Sequence, residues 1–203
     1  MTSYIWDLDG TLLDSYEVIV EAALRTADEA GVRDSEEHVL KAVKQGSVSA
    51  YLQEVSLRSG IPSGNLFQRY RFFSHAADDR ITLTDGAKET LERLRRSGAA
   101  HYVYTHRGQS SGPILQRLGI LDCFREIVTS AYGFSPKPSG EGVRYLLEKY
   151  GLNPENTWYV GDRSLDVFCA KDAGIKALLY LPADSCVAAT GKEDRILRDL
   201  REI

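Results

Sequence analysis

The chain has 203 residues, 43% of them apolar and 27% charged, and its 25 Lys+Arg against 29 Asp+Glu leave a formal net charge of −4. These are the proportions of a soluble globular protein. They exclude a nucleic-acid binder driven by bulk positive charge, and no apolar run nears the roughly 20 residues needed to span a bilayer. The opening MTSYIWDLDG lacks a basic stretch followed by an apolar core, so no secretory leader is expected. Three widely spaced cysteines, Cys123, Cys169 and Cys186, fit a reducing compartment, and no pair has metal-ligand spacing. A cytoplasmic monomer without nucleic-acid or membrane partners is the expectation.

In chain order, Tyr4-Ile5-Trp6 is a short apolar run cut off by Asp7. Between it and the next such run no convincing strand occurs. Helical patterns cover Tyr16 to Ala30, Glu36 to Lys44, Val48 to Arg58 and Ser63 to Ala77, punctuated by Gly31, Gly46 and Gly60-Ile61-Pro62. Asp14-Ser15 is placed to cap the first of these helices, and Asp85 to cap a later one that ends before Gly98. From His101 onward the pattern alternates. Strand-like runs at 101–104, 127–128, 158–160 and 177–181 are separated by amphipathic stretches around Ile114–Leu118, Val143–Leu147 and Ser164–Ala173. Residues Lys192 to Ile203 read as a short charged helix.

Strand, helix, strand, helix predicts a parallel sheet covered on both faces, with right-handed crossovers. The expected architecture is therefore α/β: a Rossmann-like parallel-sheet core formed by residues 1–14 and 84–203, interrupted by a small helical domain at 15–83. Tyr51, Leu52, Val55, Phe67, Tyr70 and Phe73 are expected to pack inside that insertion, and Cys123 and Cys169 inside the core. His38, His75 and His101 have no ligand spacing and are expected to be structural or exposed.

Reactive residues cluster where the strands end, which is where open α/β sheets bind ligands. The first strand delivers Asp7, Asp9, Gly10 and Thr11; the second delivers Thr105; Lys137 follows the third; Asp162 follows the fourth, with Asp166 one helical turn later. Carboxylates brought that close repel one another unless a cation joins them. Hard oxygen ligands suit Mg²⁺, which keeps open positions for water and phosphate. Lys137 and Thr105 offer a point charge and a hydroxyl suited to phosphate oxygens. Carboxylates with a phosphate clamp point to phosphoryl transfer, in which a carboxylate can itself be the nucleophile. Taken singly, Asp162 could be only a helix N-cap and Asp166 only a first-turn acid favoured by the helix dipole.

At these residues the chain resembles the haloacid dehalogenase superfamily. Asp7-Leu8-Asp9-Gly10-Thr11-Leu12 is similar to its first signature, D-x-D-G-T-L. Thr105 resembles the second motif, Lys137-Pro138 the third, and Gly161-Asp162-Arg163-Ser164-Leu165-Asp166 the fourth, G-D-x-x-x-D. The helical insertion is similar to the small helical cap of the subgroup that holds phosphoglycolate phosphatase and β-phosphoglucomutase. The resemblance implies a Mg²⁺-dependent phosphatase acting on a small phosphorylated metabolite. Asp7 would be the nucleophile and Asp9 the acid and base. Mg²⁺ would sit on Asp7, the Asp9 backbone carbonyl and Asp162, with Asp166 orienting its shell. Thr105, Lys137 and backbone N–H groups near Gly10 and His106 would hold the phosphoryl group.

Two departures bear on specificity. The family commonly has Asn after the second-motif Thr or Ser, whereas this chain has His106 and then Arg107. Lys44, Gln45 and Gly46 break the insertion between two helices where similar proteins select substrate. Arg107 and this break are the candidate substrate-selecting residues. A phosphomutase, in which a substrate hydroxyl intercepts the phospho-aspartate, is the nearest alternative. A receiver-like signalling domain or a non-catalytic binding protein fits less well, because the candidate nucleophile is on the first strand and the reactive set is intact.

Overall fold

The computed structural model describes residues 1–203, and its contacts divide them into two compact units. One contains Met1–Asp14 and Thr82–Ile203; the other is Ser15–Ile81. No helix is long and apolar enough to cross a membrane.

The first unit is built on strands β1 (Ser3–Trp6), β4 (Ala100–Tyr104), β5 (Ile127–Val128), β6 (Thr157–Gly161), β7 (Lys176–Tyr180) and β8 (Arg195–Leu197). They form one sheet in the order β5-β4-β1-β6-β7-β8, with every neighbouring pair parallel. β1 is central, and Ile5 stands beside Tyr102 on one side and Tyr159 on the other. Alternate residues point to opposite faces, and both sets are buried. Ile5, Tyr102, Tyr159 and Leu179 pack with Val143 and Leu146 of α7 (Glu141–Tyr150) and Val167 of α8 (Ser164–Asp172). Trp6, Val103, Val160 and Leu178, on the other face, are buried as well. The remaining helices of this unit are α5 (Ala87–Arg96) and α6 (Ser111–Arg117).

The second unit is all-helical: α1 (Tyr16–Glu29), α2 (Glu36–Gln45), α3 (Val48–Ser59) and α4 (Ser63–Ala76). Ile19, Ala23, Val39, Val43, Tyr51, Leu52, Val55, Leu66, Tyr70 and Phe73 form its core. Asp34 ties the loop before α2 to α3 by accepting from Arg58 at 2.8 Å and from the Tyr51 hydroxyl at 3.0 Å.

Five local expectations are corrected. Leu13–Asp14 (β2) and Thr82–Leu83 (β3) form a short antiparallel ladder where no strand was expected; a pair of dipeptides is too short to show a period. The segment expected to end as a charged helix instead holds β8 and a 3₁₀ turn at Leu200–Glu202. There the Asp194 carboxylate accepts from the Ala177 N–H at 2.7 Å and anchors the chain beside β7. The N-cap of α5 is Gly86 at φ 75°, not Asp85, whose carboxylate binds Arg201 at 2.5 Å. Ser15 is the N-cap of α1 but makes no side-chain cap hydrogen bond. Phe67, expected inside the helical unit, is 40% exposed, because α4 turns Leu66, Tyr70 and Phe73 inward instead.

Two features of the sheet carry predictions. The Trp6 indole N–H donates to His101 Nδ1 at 3.0 Å, so the buried ring carries its proton on Nε2 and is neutral. Burial, aided by the charge of Arg95, holds this imidazole down at about 4 against an ordinary 6.5. The unfolded chain therefore binds the proton more tightly. The stability that His101 contributes is complete above about pH 6.5 and is lost as the pH falls towards 4, a change on the order of 3 kcal/mol. Urea unfolding at pH 7 and pH 4.5 measures it, and His101→Phe is expected to be less stable at pH 7 yet to lose less on acidification. At the end of β6, a Cβ on Gly161 would lie 2.4 Å from the Asp166 Cβ. Gly161→Ala is thus expected to lower stability by about 1–3 kcal/mol through overpacking, seen as a lower melting temperature.

Candidate active site

β1 extends its ladder one residue past Trp6, with the Asp7 N–H donating to the Val160 carbonyl at 2.9 Å. The chain then turns sharply. The Leu8 carbonyl accepts from the N–H groups of Thr11, Leu12 and Leu13 at 3.1, 3.0 and 2.8 Å. Leu8, Leu12 and Leu13 are fully buried and pin this turn, and Gly10 supplies the φ of 79° that the turn requires. The Gly10 N–H donates to the Leu13 carbonyl at 2.8 Å. This bond closes the turn.

β4 delivers Thr105 in the same way, its N–H donating to the Val128 carbonyl at 3.0 Å. The Thr105 Oγ1 accepts from the Arg107 N–H at 3.1 Å. His106 Nε2 accepts from the Lys137 N–H at 2.8 Å, which fixes the loop before α7 against the end of β4. Burial and the charge of Lys137 hold this imidazole down at about 4, so it is a neutral acceptor near pH 7. The Tyr104 hydroxyl holds the same loop by donating to the Ser135 carbonyl at 3.1 Å.

These anchors bring Lys137 into the centre. Its fully buried Nζ lies 2.6 Å from Asp166 Oδ1, 3.0 Å from Asp7 Oδ1 and 3.1 Å from the Tyr159 hydroxyl. Burial alone would push this ammonium down, but Asp166 and Asp7 more than reverse that and hold it above its ordinary value. Burial pushes the Asp7 carboxyl up, and Lys137 pulls it back. The Tyr159 hydroxyl donates to the Tyr104 carbonyl at 2.6 Å, so towards Lys137 it is an acceptor. Asp166 also accepts from the Arg163 N–H at 3.1 Å, as a first-turn acid does at a helix start. Its structural reading and its place in the site thus coincide.

Asp7, Asp162 and Asp166 are all buried, with ligand oxygens within 4.8 Å of one another. Asp7 Oδ2 is buried and accepts no hydrogen bond; the Arg163 Nη2 lies 4.0 Å away. Three carboxylates against one central ammonium, with the buried Asp7 Oδ2 unsatisfied, form a donor set that fits a small hard dication. The Asp9 side chain belongs to a different couple: Arg107 grips it with Nε 3.0 and 3.2 Å from its two oxygens and Nη2 2.7 Å from Oδ1.

Among the sequence-predicted residues, Asp7, Lys137, Asp162 and Asp166 thus converge, Thr105 and His106 support the adjoining turn, and Asp9 and Arg107 bind each other. Lys44 and Gln45 lie in the last turn of α2 rather than in a break, with Gly46 as its C-cap, and the Lys44 Nζ is 4.4 Å from the Tyr16 ring centroid. The sequence reading did not single out Tyr159 or Arg163. The signal for Tyr159 was a hydroxyl at a buried strand position, which demands a partner.

Comparison with known proteins agrees with this architecture. The family described as haloacid dehalogenase-like hydrolase matches residues 4–180. The chain is 30% identical over 182 residues to the pyrophosphatase PpaX of Bacillus velezensis, covering 87% of this chain and 81% of that protein. It is 28% identical over 185 residues to the phosphoglycolate phosphatase of Pseudomonas putida, covering 86% and 67%. A crystal structure of a predicted phosphoglycolate phosphatase from Haemophilus somnus superposes with a TM-score of 0.84 at 24% identity, over 100% of this chain and 96% of that one. With its six-stranded parallel sheet and the helical insertion α1–α4, the chain belongs to the haloacid dehalogenase-like hydrolases, as a phosphatase-like member.

Proposed function

We propose that the protein is a Mg²⁺-dependent phosphatase that hydrolyses a small phosphorylated metabolite through an aspartyl-phosphate on Asp7. The observation that supports this most directly is the buried Asp7 carboxylate, with one oxygen held by Lys137 and the other accepting no hydrogen bond beside Asp162 and Asp166. Asp7 and Asp162 would hold the ion by their side chains and Asp9 by its backbone carbonyl. When bound, Mg²⁺ supplies positive charge that offsets repulsion between Asp7 and the phosphate and stabilises the equatorial oxygens.

The residues of the chain divide the remaining work. An Asp7 oxygen attacks phosphorus, the ester P–O bond breaks, and Asp9 gives its proton to the leaving oxygen. Asp9 then takes a proton from water as that water attacks the phospho-aspartate, releasing phosphate and restoring Asp7. Lys137 keeps Asp7 oriented and opposes the charge that accumulates during transfer. Asp166 is held by both Lys137 and the Arg163 N–H, so its role is to position Lys137 and the water shell around the ion. Thr105 offers its hydroxyl to a phosphate oxygen. Two of the matched relatives are named for pyrophosphate and for phosphoglycolate, both small anions, and the substrate we assign is of that size and charge.

Hydrolysis of p-nitrophenyl phosphate tests the mechanism. Release is expected with Mg²⁺, to disappear with EDTA, and to recover poorly with Ca²⁺, whose looser shell disturbs in-line geometry. Asp7→Asn is expected to lose at least about a thousandfold in kcat, with its melting temperature within a few degrees of the parent because Lys137 retains Asp166 and Tyr159. Metal-independent release, or release that survives Asp7→Asn, would overturn the assignment.

A further inference from the structure

We propose that Tyr159 is a positioning residue for phosphoryl transfer: its hydroxyl takes one N–H of Lys137 and so sets the direction in which the buried ammonium faces Asp7. This role rests on the reading of Asp7 as the nucleophile and Lys137 as its partner.

The packing of the sheet does not need this hydroxyl. Tyr159 stands in the middle of β6, beside Ile5 on one neighbouring strand and Ala177 on the other. It is 1% exposed and belongs to the apolar cluster that holds Ile5, Val143, Val167 and Leu179. A phenylalanine ring would fill the same space. A hydroxyl carried to such a place costs stability unless it finds partners, and here it finds two. It donates to the Tyr104 carbonyl at 2.6 Å and accepts from Lys137 Nζ at 3.1 Å. A carbonyl only accepts and an ammonium only donates, so chemistry fixes the sense of both bonds. Burial and the charges of Asp166 and Asp7 hold the phenol well above its ordinary value, so its proton stays in place.

Lys137 gains a direction from this bond. A lysine ammonium is a point charge on a flexible stem and turns about its last bond. Charge alone would settle it among carboxylates without choosing how its hydrogens point. Its hydrogen bonds go instead to Asp166 Oδ1 at 2.6 Å and to Tyr159, while Asp7 Oδ1 lies 3.0 Å from the nitrogen. Two N–H bonds held on a tetrahedral nitrogen fix the direction of the third. The hydroxyl also ties the ammonium to Tyr104, the last residue of β4, next to the Thr105 assigned to a phosphate oxygen. A phosphate dianion is attracted by the ammonium charge whichever way its hydrogens point. The transition state, with charge growing on particular oxygens, depends on where they point.

The test compares kcat and KM on p-nitrophenyl phosphate in saturating Mg²⁺ for the parent, Tyr159→Phe and Tyr102→Phe. Tyr159→Phe removes only the hydroxyl and keeps the ring, whose centroid lies 5.5 Å from Nζ. Tyr102→Phe is the control for a hydroxyl lost from the same core: Tyr102 flanks Ile5 on its other side, and its buried hydroxyl has no hydrogen-bond partner. Tyr159→Phe is expected to lose tenfold or more in kcat with KM within threefold, and Tyr102→Phe to stay within twofold in both. In ¹⁵N-lysine-labelled protein without Mg²⁺, the Nζ resonance of Lys137, the one buried lysine, is expected to shift and to exchange faster with water in Tyr159→Phe. A kcat within twofold of the parent in Tyr159→Phe, an equal loss in Tyr102→Phe, a KM that rises as far as kcat falls, or a Lys137 resonance that does not move would overturn the proposal. Should Tyr159→Phe fail to fold, 4-fluorophenylalanine in place of Tyr159, which fills the volume of the hydroxyl without donating, carries the same comparison. The two readings fail separately: activity surviving Asp7→Asn removes the nucleophile, whereas an enzyme that needs Asp7 but is indifferent to the Tyr159 hydroxyl loses only the positioning residue.

Discussion

A single buried ammonium organises the site. Lys137 donates hydrogen bonds to Asp166 and the Tyr159 hydroxyl and pairs its charge with Asp7 at 3.0 Å. Without it, Asp7, Asp162 and Asp166 would crowd negative charge into a space where their oxygens lie within 4.8 Å, away from water. With it, the cluster is still net negative, and that remainder is what suits the site to a dication. The ends of β1, β4 and β6 and the loop before α7 must therefore meet within hydrogen-bond distances, and much of the surrounding architecture serves that meeting. His106 and Tyr104 clamp the lysine loop from β4, and Gly161 has no side chain because Asp166 occupies that space.

A second charge couple sits beside the first with different partners. Asp7 and Asp9 are two residues apart in sequence but have different partners. The turn closed on the Leu8 carbonyl intervenes between them and sends Asp9 to Arg107 rather than to Lys137. The two carboxylates of one short motif thereby acquire different surroundings, one fully buried and one partly exposed. Chemistry that needs a nucleophile and a proton carrier uses such a difference in environment to set two like groups to different tasks.

The apolar runs and their punctuation made the sheet legible: five of its six strands, and the helical insertion, follow from period and length. The four motifs at the strand ends marked Asp7, Thr105, Lys137 and Asp162 as neighbours, since parallel strands deliver their following residues to one edge. Less was legible where the signal is short or shared. β2 and β3 are dipeptides, β8 is a three-residue edge strand whose first two residues are solvent-facing, and the α5 cap is a glycine conformation rather than a side chain.

Residue order alone determined which groups of this protein lie at the sheet's reactive edge, because that depends on alternation and on where each strand stops. The tertiary structure decided which charge binds which. Arg107 grips Asp9 across 98 residues of sequence, Lys137 reaches Asp166 across 29, and Tyr159 receives the lysine from across 22. Ion pairing and hydrogen bonding change over fractions of an ångström and depend on the direction of each side chain. Local periodicity carries no such distances; they are set only when strands, turns and helices close upon one another.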